Sequence, residues 1–263
     1  MTFYEDIRKN AIQVLKEVLQ ELHELNDKNE VSIKEGRDIV TSTDIFIEKK
    51  LIEKLRNLYP SHFFSSEEIG EAAIDQSRSD VFEWVIDPID GTINYSAGLP
   101  WFSTSICLKH NETLVVGIVY LYESQNIYSA VLGEGSFCND RPIHVSKTPS
   151  LDKSILSFML TSHYNEEQTD YILKIVRNLS LKTRGLRLLV SQAYELCMIA
   201  EGKLDGTVCI KSKGFSSSAG ALIVQEAGGK VTTIDGKERT SKATSLLVSN
   251  GILHEELVKA SNE

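Results

Sequence analysis

The chain has 263 residues, enough for one large domain or two tightly joined halves. Its 41% apolar and 25% charged residues are the composition of a soluble globular protein, and a formal net charge of −9 argues against nucleic acid as a main partner. No apolar stretch approaches the ~20 residues that span a bilayer, and the N-terminus Met1-Thr-Phe-Tyr-Glu-Asp has acids and no apolar core, so neither a membrane span nor a signal peptide is expected.

In chain order, Ile7, Ala11, Val14, Val18, Leu22 and Leu25 recur at spacings of four and three and predict an amphipathic helix, serving a core or a dimer equally well. Residues 26–36 are polar and read as a loop. A second helix is expected from about Thr41 to Tyr59, with Phe46, Leu51, Leu55 and Leu58 inward and Pro60 as its stop. Strand signals follow at His62 to Ser65, Val81 to Ile86, Ser103 to Lys109, Leu114 to Leu121 and Asn126 to Leu132; several are joined by short turns, which predicts antiparallel pairing. After Pro149 strands and helices alternate: a strand at Ile155 to Met159, a helix near Glu166 to Asn178, a strand at Leu181 to Arg184, a helix near Leu189 to Ala200, a strand at Gly206 to Ile210 and a helix at Ser217 to Ala227. Short strands near Lys230 to Thr233 and Ser245 to Ser249 precede a last helix from about Leu253. The expectation is an α+β N-terminal half, 1–149, and an α/β C-terminal half, 150–263, sharing a cleft in one compact unit.

Cys107, Cys138, Cys197 and Cys209 form no C-x-x-C pair and read as reduced thiols of a cytoplasmic protein. The six histidines form neither H-x-H nor H-E-x-x-H, which disfavours a zinc hydrolase and favours oxygen ligands. The carboxylates that suit this are in Trp84-Val-Ile-Asp87-Pro88-Ile89-Asp90-Gly91-Thr92-Ile-Asn-Tyr95. Two acids at a turn stiffened by Pro88 suit a hard cation such as Mg²⁺, and the Gly91-Thr92 amides and hydroxyl suit a phosphate oxygen. Together they point to metal-assisted hydrolysis of a phosphate ester. The plainer alternatives are a surface turn for Asp87 and Asp90, a solvated acidic turn for Glu67-Glu68, a helix cap for Thr92 and a first-turn helix acid for Asp44.

On Trp84 to Tyr95, on Phe63-Phe64-Ser65-Ser66-Glu67-Glu68 some twenty residues earlier and on Asp38-Ile-Val-Thr41-Ser42-Thr43-Asp44, the chain resembles the inositol monophosphatase family of Mg²⁺-dependent, lithium-sensitive phosphatases. The second family signature is carried by Phe215 to Gly229, where Ala219-Gly220 and Glu226-Ala227-Gly228-Gly229 keep the frame. The resemblance spans nearly the whole chain. It implies a layered α-β-α-β-α sandwich shared with fructose-1,6-bisphosphatase-like sugar phosphatases, a homodimer, and two or three Mg²⁺ ions. It further implies that Glu67 and the Ile89 carbonyl bind the first metal, Asp87 bridges, Asp90 binds the second, and Asp44 with Thr92 orients the attacking water. Asp90, Gly91, Thr92, Arg187, Ser191, Gln192, Cys209 and Ser216 then line the phosphate and substrate side.

Three departures from the family pattern stand out. Ser216 occupies the position of a metal-binding Asp, which predicts a weakened second site, with Asp205 or Glu226 as substitutes to be weighed. Cys209 stands where inositol-hydrolysing relatives carry a Glu that reads ring hydroxyls, and Val190-Ser191-Gln192 replaces G-[ST]-A. The expected function is Mg²⁺-dependent hydrolysis of a small phosphorylated polyol, sugar or nucleotide by metal-activated water. The alternative is a catalytically weakened member acting as a binding or regulatory protein.

Overall fold

The computed structural model describes residues 2–25, 30–74, 79–212, 214–240 and 243–263. Helix α1 (Phe3–Glu24) is capped by the Thr2 side chain and buries Ile7, Ala11, Val14, Leu15 and Val18, whereas Leu25 lies past its end and is exposed. Residues 26–29 of the expected loop lie outside the described residues, and the part after them is a strand. β1 (Val31–Glu35) pairs antiparallel with β2 (Asp38–Thr41) in a small hairpin. Val31 and Ile33 are exposed, so no buried face marks this strand in the sequence. Helix α2 (Ser42–Leu58) starts at a Thr41/Asp44 capping box and buries Ile47, Leu51 and Leu55; Leu58, expected inward, is exposed at the last turn.

β3 (Phe63–Ser66), β4 (Phe82–Asp90), the short helix α3 (Thr92–Ser96), β5 (Ser103–His110), β6 (Thr113–Leu121), β7 (Asn126–Val131), β8 (Gly135–Cys138) and β9 (Arg141–Pro142) follow. The strands form a seven-stranded sheet in sequence order. Its pairs are antiparallel except β3 with β4, which are parallel, because residues 67–81 give the chain room to cross over. The second half comprises β10 (Ile155–Phe158), α4 (Glu166–Ser180), β11 (Gly185–Arg187), α5 (Gln192–Ala200), β12 (Gly206–Cys209), α6 (Gly214–Glu226), β13 (Lys230–Thr232), β14 (Leu246–Ser249) and α7 (His254–Asn262). These strands form a mixed sheet in the order β11-β10-β12-β14-β13. The strand expected at 181–184 begins at Gly185 instead, because Lys182 and Thr183 donate back to the Leu179 carbonyl and close α4 with a turn.

Side-chain alternation stacks these elements into five layers. Trp84, Ile86, Ile106 and Leu108 face α1 and α2, while Val85 and Cys107 on the same strands face α5 and α6. On the second sheet Leu246 and Val248 face α5 and α6, and Val208 and Leu247 face α4 and α7. The order is therefore α1/α2, seven strands, α5/α6, five strands, α4/α7, the layered α+β sandwich that the resemblance implies. Helix α6 lies between the sheets and is buried from Ser216 to Val224, so it has no polar stripe. It approaches β6 so closely that a Cβ on Gly117 would sit 2.7 Å from the Ala219 carbonyl oxygen. Among the described residues no helix is long and apolar enough to cross a membrane.

His254, at the start of α7, is 2% exposed and sits between the hydroxyls of Thr232 and Ser249, each 2.9 Å from a ring nitrogen. Burial, with Lys230 nearby, pushes its pKa from 6.5 down to about 4. The folded state therefore holds the neutral ring. Its contribution to stability is complete above pH 6.5 and is lost as pH falls toward 4, at no more than about 1.4 kcal/mol per pH unit. His254→Gln is expected to flatten the stability-versus-pH curve in that window, read from urea midpoints; an unchanged slope would show that His254 does not carry it.

Candidate active site

Strand β4 ends in a bulge that decides where its acids point. Asp87 pairs with Ser105 and Asp90 with Ser103, so three steps on β4 oppose two on β5. In an unbroken strand two residues three apart face opposite sides. The extra residue brings Asp87 and Asp90 to the side that Ser103 and Ser105 share. Pro88 suits this place because it has no N–H to leave unpaired, and its carbonyl accepts from Thr104 at 2.7 Å. Gly91 then turns the chain at φ +93°, where a Cβ would meet the Trp101 carbonyl oxygen at 2.9 Å.

Both acids are buried. Asp90 Oδ2 accepts from the Ser191 hydroxyl and the Ala193 amide, both at 2.7 Å, so this carboxylate caps the start of α5 from another element. Val190, just before, is a β-branched residue held at φ +56°, a strained setting that presents Ser191 to Asp90. Burial raises the Asp90 pKa to about 6 against these donors. Asp87 is raised further, first by burial and then by the charges of Glu67 and Asp90. Its Oδ2 accepts from the Ser216 hydroxyl at 2.6 Å, while its Oδ1 is buried with no hydrogen-bond partner among the described residues. Glu67 reaches Asp87 from the end of β3, where its amide donates to the Ile86 carbonyl at 3.1 Å.

Thr92 Oγ1 lies 2.9 Å from the Ile89 carbonyl oxygen and 3.4 Å from Asp44 Oδ1, and its one proton serves one of them at a time. Asp44 has two jobs: Oδ2 completes the α2 capping box with Thr41, and Oδ1 faces Thr92. Burial lifts its pKa to about 6. Glu48, one turn further along α2, is an acid that the sequence reading missed. It accepts from the Ser66 hydroxyl and from the Glu68 amide at 3.0 Å, and so fixes the loop that carries Glu67. Its position beside Ile47 and four residues after Asp44, on an otherwise apolar face, was the available signal. Glu68 itself pairs with Lys34 at 2.8 Å.

Of these groups Glu67, Asp90, Thr92 and Ser216 line a cleft of about 260 Å³ that also contains Gln192, Cys209 and Lys211, while Asp87 and Asp44 lie buried behind that lining. A wider hollow of about 670 Å³ beside Tyr95, Tyr120 and Tyr122 has no carboxylate among the described residues that line it, and the acids described above line the smaller one or lie behind it. Three candidate residues lie elsewhere. Arg187 is exposed on the edge strand β11, bonds the Leu186 carbonyl, and is not among the cleft-lining residues. Glu226 is occupied by the amides of Gly133 and Gly135 at 2.9 Å each, and Asp205 by Ser146 and the Ile155 amide, so neither replaces the missing acid at Ser216.

The donor set fits a hard divalent cation. Glu67 and Asp90 place like charges beside Asp87, and Asp87 keeps one buried oxygen without a partner among the described residues. A cation there would offset the repulsion and use the free oxygen. Among the described residues no three acid, histidine or cysteine side chains make a closed cage, so backbone oxygen, water or phosphate would complete its shell.

The chain matches the Inositol monophosphatase family over residues 2–263. It belongs to that family. It is similar to the fructose-1,6-bisphosphatase/inositol-1-monophosphatase of Thermotoga maritima, 33% identical over 86% of this chain and 84% of the relative. It is also similar to the Nus factor SuhB of Pasteurella multocida, 35% identical over 83% and 80%. Among solved structures, the extragenic suppressor protein suhB of Bartonella henselae superposes with a TM-score of 0.87 at 26% identity over 100% of this chain and 99% of that one. Inositol monophosphatase family members are phosphatases and typically bind Mg²⁺, and this chain is one of their phosphoric monoester hydrolases.

The family site depends on both halves of the chain meeting. Asn94 donates to the Trp101 and Leu189 carbonyls, both at 2.7 Å, and ties the α3 loop to the segment before α5. Asn94→Ala leaves both carbonyls without that donor and is expected to lower stability by about 1–3 kcal/mol. Equal denaturation midpoints for variant and wild type would show that this tie contributes nothing.

Proposed function

We propose that the chain hydrolyses small phosphate monoesters of a polyol, sugar or nucleotide, with Mg²⁺ held by Glu67, Asp87, Asp90 and the Ile89 carbonyl. The observation that carries this is the buried, unpartnered Asp87 oxygen beside Glu67. When bound, the cation supplies positive charge to the phosphoryl oxygens and lowers the pKa of water. The chain's own residues do the rest. Gly91 and Thr92 offer amides to the phosphate, and Thr92, through Asp44, orients the attacking water. Glu48 and the Lys34–Glu68 pair hold Glu67 in place. In this reading residues 1–149 carry the acids, residues 150–263 close the cleft, and the protein is a cytoplasmic homodimer.

Ser216 sets the metal demand. Its hydroxyl is a donor to Asp87 and adds no charge, and Asp90 Oδ2 is already used by Ser191 and Ala193. The second cation site is therefore weak. The same observation, with relatives named Nus factor SuhB, favours a second reading, a member with reduced turnover that works as a binding or regulatory protein.

Phosphate release from a panel of phosphomonoesters during a Mg²⁺ titration tests this. Asp87→Asn is expected to cost on the order of a hundred-fold in rate, and Ser216→Asp to lower the Mg²⁺ needed for half-maximal rate by about ten-fold. Calorimetric titration should show one tight cation in the wild type and two in Ser216→Asp. No turnover of any ester by the wild type, at any Mg²⁺ concentration, would sink the hydrolase reading and favour the second.

A further inference from the structure

Part of the cleft lining carries hydrogen-bond donors. Gln192 is 3% exposed; its Oε1 accepts from Ser212 at 2.8 Å, and its Nε2 is buried, beside the Cys209 thiol, with no hydrogen-bond partner among the described residues. Cys209 is 1% exposed, and burial pushes its thiol up to about 11, so it is neutral at physiological pH. Lys211 lies at the exposed rim, with Nζ 3.3 Å from the His163 carbonyl oxygen, and it makes no ion pair among the described residues. Asp38, the carboxylate beside this cluster, faces His163 at 3.7 Å. All five residues line the same cleft as Glu67 and Asp90.

A neutral polyol presents many hydroxyls, and a wall that reads them needs acceptors. This wall has a neutral thiol, an orphaned amide N–H₂ and an ammonium. A buried donor left unmatched is costly, and an anionic oxygen is its strongest partner. We propose that Lys211 and Gln192 bind a second anionic group on the substrate, a phosphate or carboxylate remote from the scissile ester, so that the preferred substrate is a doubly anionic phosphomonoester. This inference rests on the hydrolase reading above and names its substrate class.

The test compares matched pairs that differ in the second anion. Fructose 1,6-bisphosphate against fructose 1-phosphate probes a phosphate, and 2-phosphoglycerate against glycerol 2-phosphate probes a carboxylate. In at least one pair the doubly anionic member is expected to have a kcat/KM about ten-fold higher or more, falling as salt is added. Lys211 is at the surface, so its variants should fold. Lys211→Met should bring the ratio within the pair to about two-fold or less, and Lys211→Arg should retain it. A wild-type ratio near one in both pairs, or a ratio that Lys211→Met leaves unchanged, overturns the inference. Calorimetric binding of the same esters with Ca²⁺ in place of Mg²⁺ separates the two failures. Lys211-dependent binding without turnover sinks the hydrolase reading alone. Turnover without discrimination sinks this inference alone. Absence of both binding and turnover sinks both.

Discussion

The structure is organised around carboxylates placed where water cannot solvate them. Asp87 and Asp90 are 1% and 7% exposed, and an ionised acid in such a place is stable only with donors or a cation at hand. Asp90 has its donors from α5. Asp87 has one, from Ser216, and beside it Glu67 adds a like charge. The bulge, Pro88, the left-handed Gly91 and the strained Val190 all serve to put these groups together.

The site is consequently not a property of β4 alone. Beyond Ser103 of β5 at 3.4 Å from Asp90, the shorter donors to Asp90 and Asp87 arrive from residues more than a hundred positions away, at the start of α5 and on α6. Those helices are fixed by burial between two sheets, with Gly117 permitting the close approach of α6. Packing of the central layer thus sets the electrostatics of the cleft. Ser216 in this layer faces Asp87 with a neutral hydroxyl donor rather than a charge.

The same cleft also presents donors. With Glu67 and Asp90 it holds the Gln192 amide, whose Nε2 has no partner among the described residues, and the Lys211 ammonium, whose acceptor is the His163 carbonyl. A substrate that brings both a phosphate and a further acceptor can meet both kinds of group in one cleft.

By itself the sequence determined the family and most helices and strands, and it nominated the acids, because D-P-I-D-G-T, the Glu67-Glu68 pair and the apolar periodicities are local patterns. It also exposed Ser216 as a departure. What it could not determine depended on distant partners. The β1–β2 hairpin was hidden because its apolar residues stay exposed. The parallel pairing of β3 with β4 depended on a crossover. Arg187 fell outside the cleft because β11 is an edge strand. The partners of Asp205 and Glu226, which occupy both carboxylates, appear only in the folded chain. Glu48, the orphaned Gln192 amide and the position of Lys211 are likewise matters of tertiary structure. A residue's type states what it can donate or accept, and only the folded chain decides which groups stand opposite it and whether water is excluded.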